Sequence, residues 1–247
     1  MRYFIGNWKM FGVPNSLNIL KKVNSFHVKD KNRNKYRIII TPPFTLIESF
    51  ANFFKNKSLK IGSQNCYQKD KFSSNTAAVS SYMLKRVGAN YTLIGHSDNR
   101  SEGDDDSILK NKVHFALKNN LKVVFCIGEN KNQKKNKKTF IALKKQLTKV
   151  LEKKFNQNNI IVAYEPIWSI GTGKIPNQND LKKTVLFIKK ILKNIFKKKS
   201  PPVLYGGSVD GDNVAIFKKI PEIDGFLVGG ASKSSKKFID IIKNYYR

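Results

Sequence analysis

Glu165 stands at the end of an apolar run, Ile160–Tyr164, and a proline follows it at once. Beyond Pro166 come Ile167, Trp168 and Ile170, and then Gly171 and Gly173. A carboxylate held at a strand end is placed to act as a base. The segment after it joins apolar anchors to points of backbone freedom, which is the composition of a lid. Pro166 and Ile175-Pro176 restrict its two ends, so closure is expected to be hinge-like with a fairly rigid tip.

Other polar and small residues collect after apolar runs in the same way. Asn7 and Lys9 follow Tyr3–Ile5, His96 and Ser97 follow Tyr91–Ile94, and Glu129 follows Val123–Ile127. Gly206-Gly207-Ser208 follows Val203–Tyr205, and Gly229-Gly230-Ala231-Ser232 follows Phe226–Val228. Each has a dull reading on its own. Lys9 is a solvated charge, His96 a hydrogen-bonded structural residue, Glu165 a strand end, and the glycine pairs are turns. Their co-occurrence at successive run ends favours chemistry. Backbone N–H groups at tight turns and helix starts hold a phosphate well. Ser208, Gly229 and Gly230 are placed for that task, with Ser208 and Ser232 near the starts of their helices, and Gly171 adds a third N–H as the lid closes.

The runs above, with Arg37–Ile40 and Lys60–Gly62, make eight expected strands. They are continuously apolar rather than alternating, as parallel strands covered on both faces are. Amphipathic segments lie between them, at 15–26, 44–54, 80–87, 105–119, 139–155, 181–199, 213–219 and 235–246. In 181–199, Leu181, Val185, Ile188, Ile191, Leu192 and Ile195 recur at helical spacing with lysines opposite. Asn179 or Asp180 is expected to cap that helix, and Pro201-Pro202 prevents its continuing. The Lys-Asn run 130–138 reads as a loop and an exposed helix start. Strict alternation without a linker argues for one α/β domain over residues 1–247. A parallel (β/α)8 barrel fits best, and an open doubly wound sheet is the runner-up. In a barrel, all the residues named above face one end.

The chain carries 47 Lys and Arg against 17 Asp and Glu, a formal charge of +30. Such a balance raises nucleic acid or an anionic membrane as partners. The lysines are scattered along helical segments, however, and no arginine-rich or aromatic-interleaved groove stands out. Compositional drift toward Lys and Asn explains the charge more simply. No apolar stretch approaches 18 residues and the start is too short for a secretory signal, so no membrane is expected. Cys66 and Cys126 match no zinc spacing, and a reducing cytoplasm is the expected compartment.

Six motifs in order resemble the triosephosphate isomerase family across residues 3–246. They are Gly6-Asn7-Trp8-Lys9-Met10, Ile94-Gly95-His96-Ser97, Cys126-Ile127-Gly128-Glu129, Ala163–Lys174, Tyr205-Gly206-Gly207-Ser208 and Leu227–Ser232. The resemblance implies interconversion of dihydroxyacetone phosphate and glyceraldehyde 3-phosphate, a step of glycolysis and gluconeogenesis, with no metal or organic cofactor. By it, Glu165 is the base, His96 the electrophile and Lys9 the cation facing the substrate, with Asn7 its hydrogen-bonding neighbour. It also implies that Gly171, Ser208, Gly229 and Gly230 grip the phosphate through their main chain, and that the chain forms a homodimer. Phe11, Ala78, Asp98, Asn99 and Lys233 depart from the family pattern. Most of these fall in loops expected to meet a second subunit. Ala78 and Asn99 replace both members of an ion pair, which leaves neither charge unpaired. A basic barrel with a non-catalytic anion or nucleic-acid role is the alternative reading.

Overall fold

A computed structural model describes all residues, 1–247. The eight strands are β1 (Arg2–Asn7), β2 (Tyr36–Thr41), β3 (Lys60–Ser63), β4 (Tyr91–Ile94), β5 (Lys122–Ile127), β6 (Ile160–Tyr164), β7 (Val203–Tyr205) and β8 (Gly225–Val228). They pair in chain order, all parallel, and β8 returns to β1 to close a barrel. The open doubly wound sheet is thereby excluded.

The barrel has two apolar layers, which explains the continuous apolar runs. Along β2, Ile38 and Ile40 point outward to the helices while Ile39 points inward. Ile5, Leu93, Val124, Ile161, Leu204 and Leu227 join Ile39 in the interior cluster. The larger outer cluster, 52 residues, lies between strands and helices. Cys66 and Cys126 are free and buried. Burial pushes the Cys66 thiol up to about 12 and that of Cys126 well above its usual range, so both stay protonated.

Nine α-helices surround the strands: α1 (Leu17–Lys29), α2 (Ile47–Phe53), α3 (Ser81–Arg86), α4 (Ser97–Ser101), α5 (Asp106–Lys118), α6 (Lys131–Lys135), α7 (Thr139–Val150), α8 (Gln178–Phe196) and α9 (Ser235–Tyr246). Several differ from the sequence expectation. The cap of α8 is Asn177, whose side chain accepts from the Asn179 N–H at 2.9 Å, so the helix starts earlier than Asn179 or Asp180 would allow. It ends at Lys197, in the left-handed region at φ 54°, before the Pro201-Pro202 pair is reached. The α7 segment stops at Val150 because Leu151 and Phe155 turn back into the core. Asn130 caps the separate short helix α6 within the Lys-Asn run. The segment 213–219 forms a 3-10 turn, Val214–Lys219, rather than an α-helix.

His27 on α1 is a buried polar group at the opposite end from the glycine loops. Its Nδ1 pairs with Ser58 Oγ at 2.7 Å, and its Nε2 has no partner. Burial is the largest influence on it and holds its pKa below the ordinary imidazole value. The unfolded chain therefore takes up this proton first, so the contribution of His27 to stability is full above about pH 6.5 and is lost as pH falls toward the lower folded value. Urea denaturation between pH 5 and 8 should show a stability loss on the acid side that shrinks in His27→Gln.

Candidate active site

The carboxyl ends of the strands gather the predicted residues. Asn7, Lys9, His96, Glu165, Gly171, Ser208, Gly229 and Gly230 all line one cleft of about 470 Å³. Glu165, His96 and Asn7 are nearly fully buried. Gly229 and Gly230 have open space where a side chain would project. Gly171 sits at φ +69°, a conformation that favours glycine, on the facing lid.

Glu165 is at the centre. Its Oε2 lies 3.4 Å from His96 Nε2, and its Oε1 is buried without a hydrogen-bond partner. A buried carboxylate oxygen without a partner, on a residue lining the cleft, is poised to accept a proton from something bound there. His96 caps α4: its Nδ1 accepts the Asp98 backbone N–H at 3.1 Å. That contact places the proton of a neutral ring on Nε2, facing the cleft. Burial disfavours an imidazolium here and Lys9 adds to that, but Glu165 and then Asp98 outweigh both, so the His96 pKa in the open site lies above its ordinary value.

Lys9 is held from several sides. Its backbone occupies the left-handed region at φ 53°. Its N–H donates to Asn7 Oδ1 at 3.1 Å, and its carbonyl accepts from Gln64 Nε2 at 2.8 Å. Its ammonium pairs with Asp98 Oδ2 at 3.0 Å. Asp98, one of the departures named above, thus reaches Lys9 directly. Arg100 ties the ends of β4 and β5 together, donating to the carbonyls of Gly95 and Cys126. Gln64 and Arg100 escape a reading of the sequence because each acts through a backbone carbonyl brought near only by the barrel.

The lid, residues 166–174, is fastened at its base and along its inner edge. Trp168 Nε1 donates to Glu129 Oε1 at 2.9 Å, and the Tyr164 hydroxyl donates to the same carboxylate. Glu129, placed by sequence at a strand end, anchors the lid and does not line the cleft. Ser208 Oγ accepts from the Gly173 N–H at 3.0 Å and donates to the Ser169 carbonyl at 2.9 Å. Its side chain therefore grips the lid. Ser169, fully buried, donates to the Lys174 carbonyl at 2.5 Å and meets the Tyr205 hydroxyl at 3.2 Å. Ser208→Ala removes two lid contacts worth about 0.5–1.5 kcal/mol each, so kcat/KM should fall on the order of tenfold, with a stability loss of at most about 1–3 kcal/mol. Steady-state kinetics beside a melting curve checks this.

The family described as Triosephosphate isomerase matches residues 2–245 by sequence profile. The chain belongs to the triosephosphate isomerase family. It is 37% identical over 245 residues to the triosephosphate isomerase of Thermodesulfovibrio yellowstonii, covering 98% of each chain. It is 35% identical over 248 residues to that of Saccharomyces cerevisiae, again over 98% of each. The crystal structure of triosephosphate isomerase from Bartonella henselae superposes with a TM-score of 0.90 at 29% identity, covering 100% of this chain and 99% of that one. This chain is accordingly an isomerase enzyme with a triosephosphate isomerase barrel, and its substrate is a small triose phosphate.

Two departures from the family pattern meet in space. The Phe11 ring packs edge-on against Trp8, with centroids 5.5 Å apart, and Lys233 Nζ lies 5.3 Å from the Phe11 centroid. A cation over an aromatic face is favourable, so the residues after β1 and β8 suit one another as a pair. Asn99 and Ala78 are both half-buried.

Proposed function

We propose that Glu165, His96 and Lys9 carry out the interconversion of dihydroxyacetone phosphate and D-glyceraldehyde 3-phosphate. Glu165 takes a proton from the carbon next to the carbonyl and returns it to the neighbouring carbon. His96 Nε2–H polarises the carbonyl and exchanges protons with the two oxygens of the enediolate. Lys9 stabilises the negative charge that develops on those oxygens. A carboxylate is a weak base for a C–H proton, so the step depends on this stabilisation and on a site without water. The main-chain groups of Gly171, Ser208, Gly229 and Gly230 hold the phosphate, and Asn7 positions Lys9 and the substrate. The lid retains the enediolate, which would otherwise shed phosphate.

The observation that carries this reading is the unpartnered, buried Glu165 Oε1 opening into the cleft beside His96 and Lys9. A non-catalytic basic barrel would have no use for it. The test is a coupled assay in which glyceraldehyde 3-phosphate is added and dihydroxyacetone phosphate followed, repeated with Glu165 replaced. Absence of turnover in the unaltered enzyme would overturn the reading. Residues 1–247 function as a single domain, in the cytoplasm, as a homodimer. Exposed Met10 and Phe72 support the dimer, each being apolar surface on a loop that the family resemblance sends toward a second subunit. Sedimentation showing a fully active monomer at micromolar concentration would contradict the homodimer.

A further inference from the structure

The reaction occupies one end of the barrel. The other end, where the strands begin, carries a larger cleft of about 950 Å³. It is framed by the end of α1, the turn after it, the starts of β2 and β3, and the loop before β3. Arg33, Arg37, Lys57 and Lys60 line it, and none of its twelve lining residues is acidic. In so basic a chain that alone says little. The four cations nonetheless stand outside every ion pair in the structure.

The distinguishing feature is buried polar atoms without a partner. Six buried side-chain nitrogen or oxygen atoms in the whole chain make no hydrogen bond, and one of these, Glu152 Oε2, lies 2.9 Å from Lys154 Nζ in an ion pair. Another is Glu165 Oε1, in the active-site cleft; His27 Nε2 and Asn24 Oδ1 both belong to this second cleft. His27 is 5% exposed, its Nδ1 is engaged by Ser58 Oγ, and its ring stands edge-on to Tyr36 at 5.0 Å. The ring is thus oriented, with Nε2 left without a hydrogen-bond partner. In the tautomer whose Nδ1 accepts from Ser58, Nε2 carries a proton to donate, and a half-turn of the Asn24 amide presents a second donor. Asp30, the acid beside this region, is already engaged by the Tyr36 hydroxyl at 2.7 Å and the Asn32 N–H at 3.0 Å.

We propose that this cleft is a second binding site, for a small molecule bearing phosphoryl groups. His27 and Asn24 contact its oxygens, and Arg33, Arg37, Lys57 and Lys60 neutralise its charge. Arg33 spends one N–H on the Val28 carbonyl and Lys60 one on the Lys57 carbonyl, which leaves further donors on each. The volume suits a small-molecule site. A nucleic-acid strand fits less well, because Tyr36, the one Phe, Tyr or Trp lining the cleft, is buried and offers no stacking face.

Imidazole NMR tests this directly, since the chain has three histidines, His27, His96 and His114. Inorganic pyrophosphate is titrated into the intact enzyme at constant ionic strength. The His27 signal should shift and saturate, independently of any response of His96 in the active site. Lys57→Gln with Lys60→Gln should weaken that binding at least tenfold and leave isomerase turnover unchanged. Asn24→Leu, which replaces the open amide with an apolar group, should weaken it too without loss of thermal stability. The proposal is overturned if His96 alone responds, if His27 shifts without saturating, if both variants bind as the parent does, or if a short RNA displaces pyrophosphate more tightly than a free nucleotide.

Discussion

Replacing Glu165 with Asp should lower kcat by about two to three orders of magnitude while KM changes only modestly. The aspartate keeps the charge and withdraws the carboxylate by one methylene. The groups that hold the phosphate remain in place, so substrate still binds. The base then stands farther from the carbon proton and from His96, whose Nε2 lies 3.4 Å from Oε2 in the parent. Single-turnover kinetics with substrate deuterated at the abstracted position gives a second reading. The isotope effect should be full in the variant, because proton transfer becomes rate-limiting. Near-normal turnover would remove Glu165 from the role of base.

Gly206→Ala should cost a comparable part of the activity, about 10²-fold in kcat, with the fold intact. A methyl group at Gly206 would lie 2.5 Å from Glu165 Cγ and 3.2 Å from Cδ. A side chain can swing away from such a contact, so the clash moves the carboxylate and spares the barrel. Gly128 offers the contrasting case. Its added methyl would meet the Glu165 carbonyl oxygen at 1.8 Å. That atom is backbone, in a segment fixed by the Glu165 N–H bond to the Ile127 carbonyl, and Gln146 clamps Gly128 through both its N–H and its carbonyl. Gly128→Ala should therefore destabilise the protein by roughly 1–3 kcal/mol or more as well as inactivate it. Thermal unfolding beside kinetics separates the two variants. Equal loss of stability in both would show that the barrel, rather than the carboxylate, gives way at Gly206.

All eight strands are legible in the sequence because burial on two faces demands a continuous apolar run, and Ile160–Tyr164 or Tyr91–Ile94 can hardly be anything else. The helices are legible by face and less so by end. Asn177 outranks Asn179 as a cap because the helix extends into a polar turn where apolar spacing carries no signal. The 3-10 turn Val214–Lys219 passes for an α-helix in the sequence because its apolar residues, Val214 and Phe217, are spaced three apart and suit either form.

Residue identity and order alone determined the family, the barrel and the residues proposed for catalysis, for these are properties of strand ends and of the few residues just beyond them. The segment from Ala163 to Lys174 already contained a carboxylate, a hinge and two glycines. Tertiary structure alone decided what those groups touch. It set Ser208 to hold the lid through its hydroxyl, Gln64 and Arg100 to brace Lys9 and the His96 loop, and Phe11 to meet Lys233 across more than 200 residues of chain. It also left His27 with an open nitrogen in a cleft at the far end. The physical reason is that strand periodicity is local and written in neighbouring residues. A hydrogen bond between loops depends on closure of the whole barrel, which no short stretch of sequence encodes.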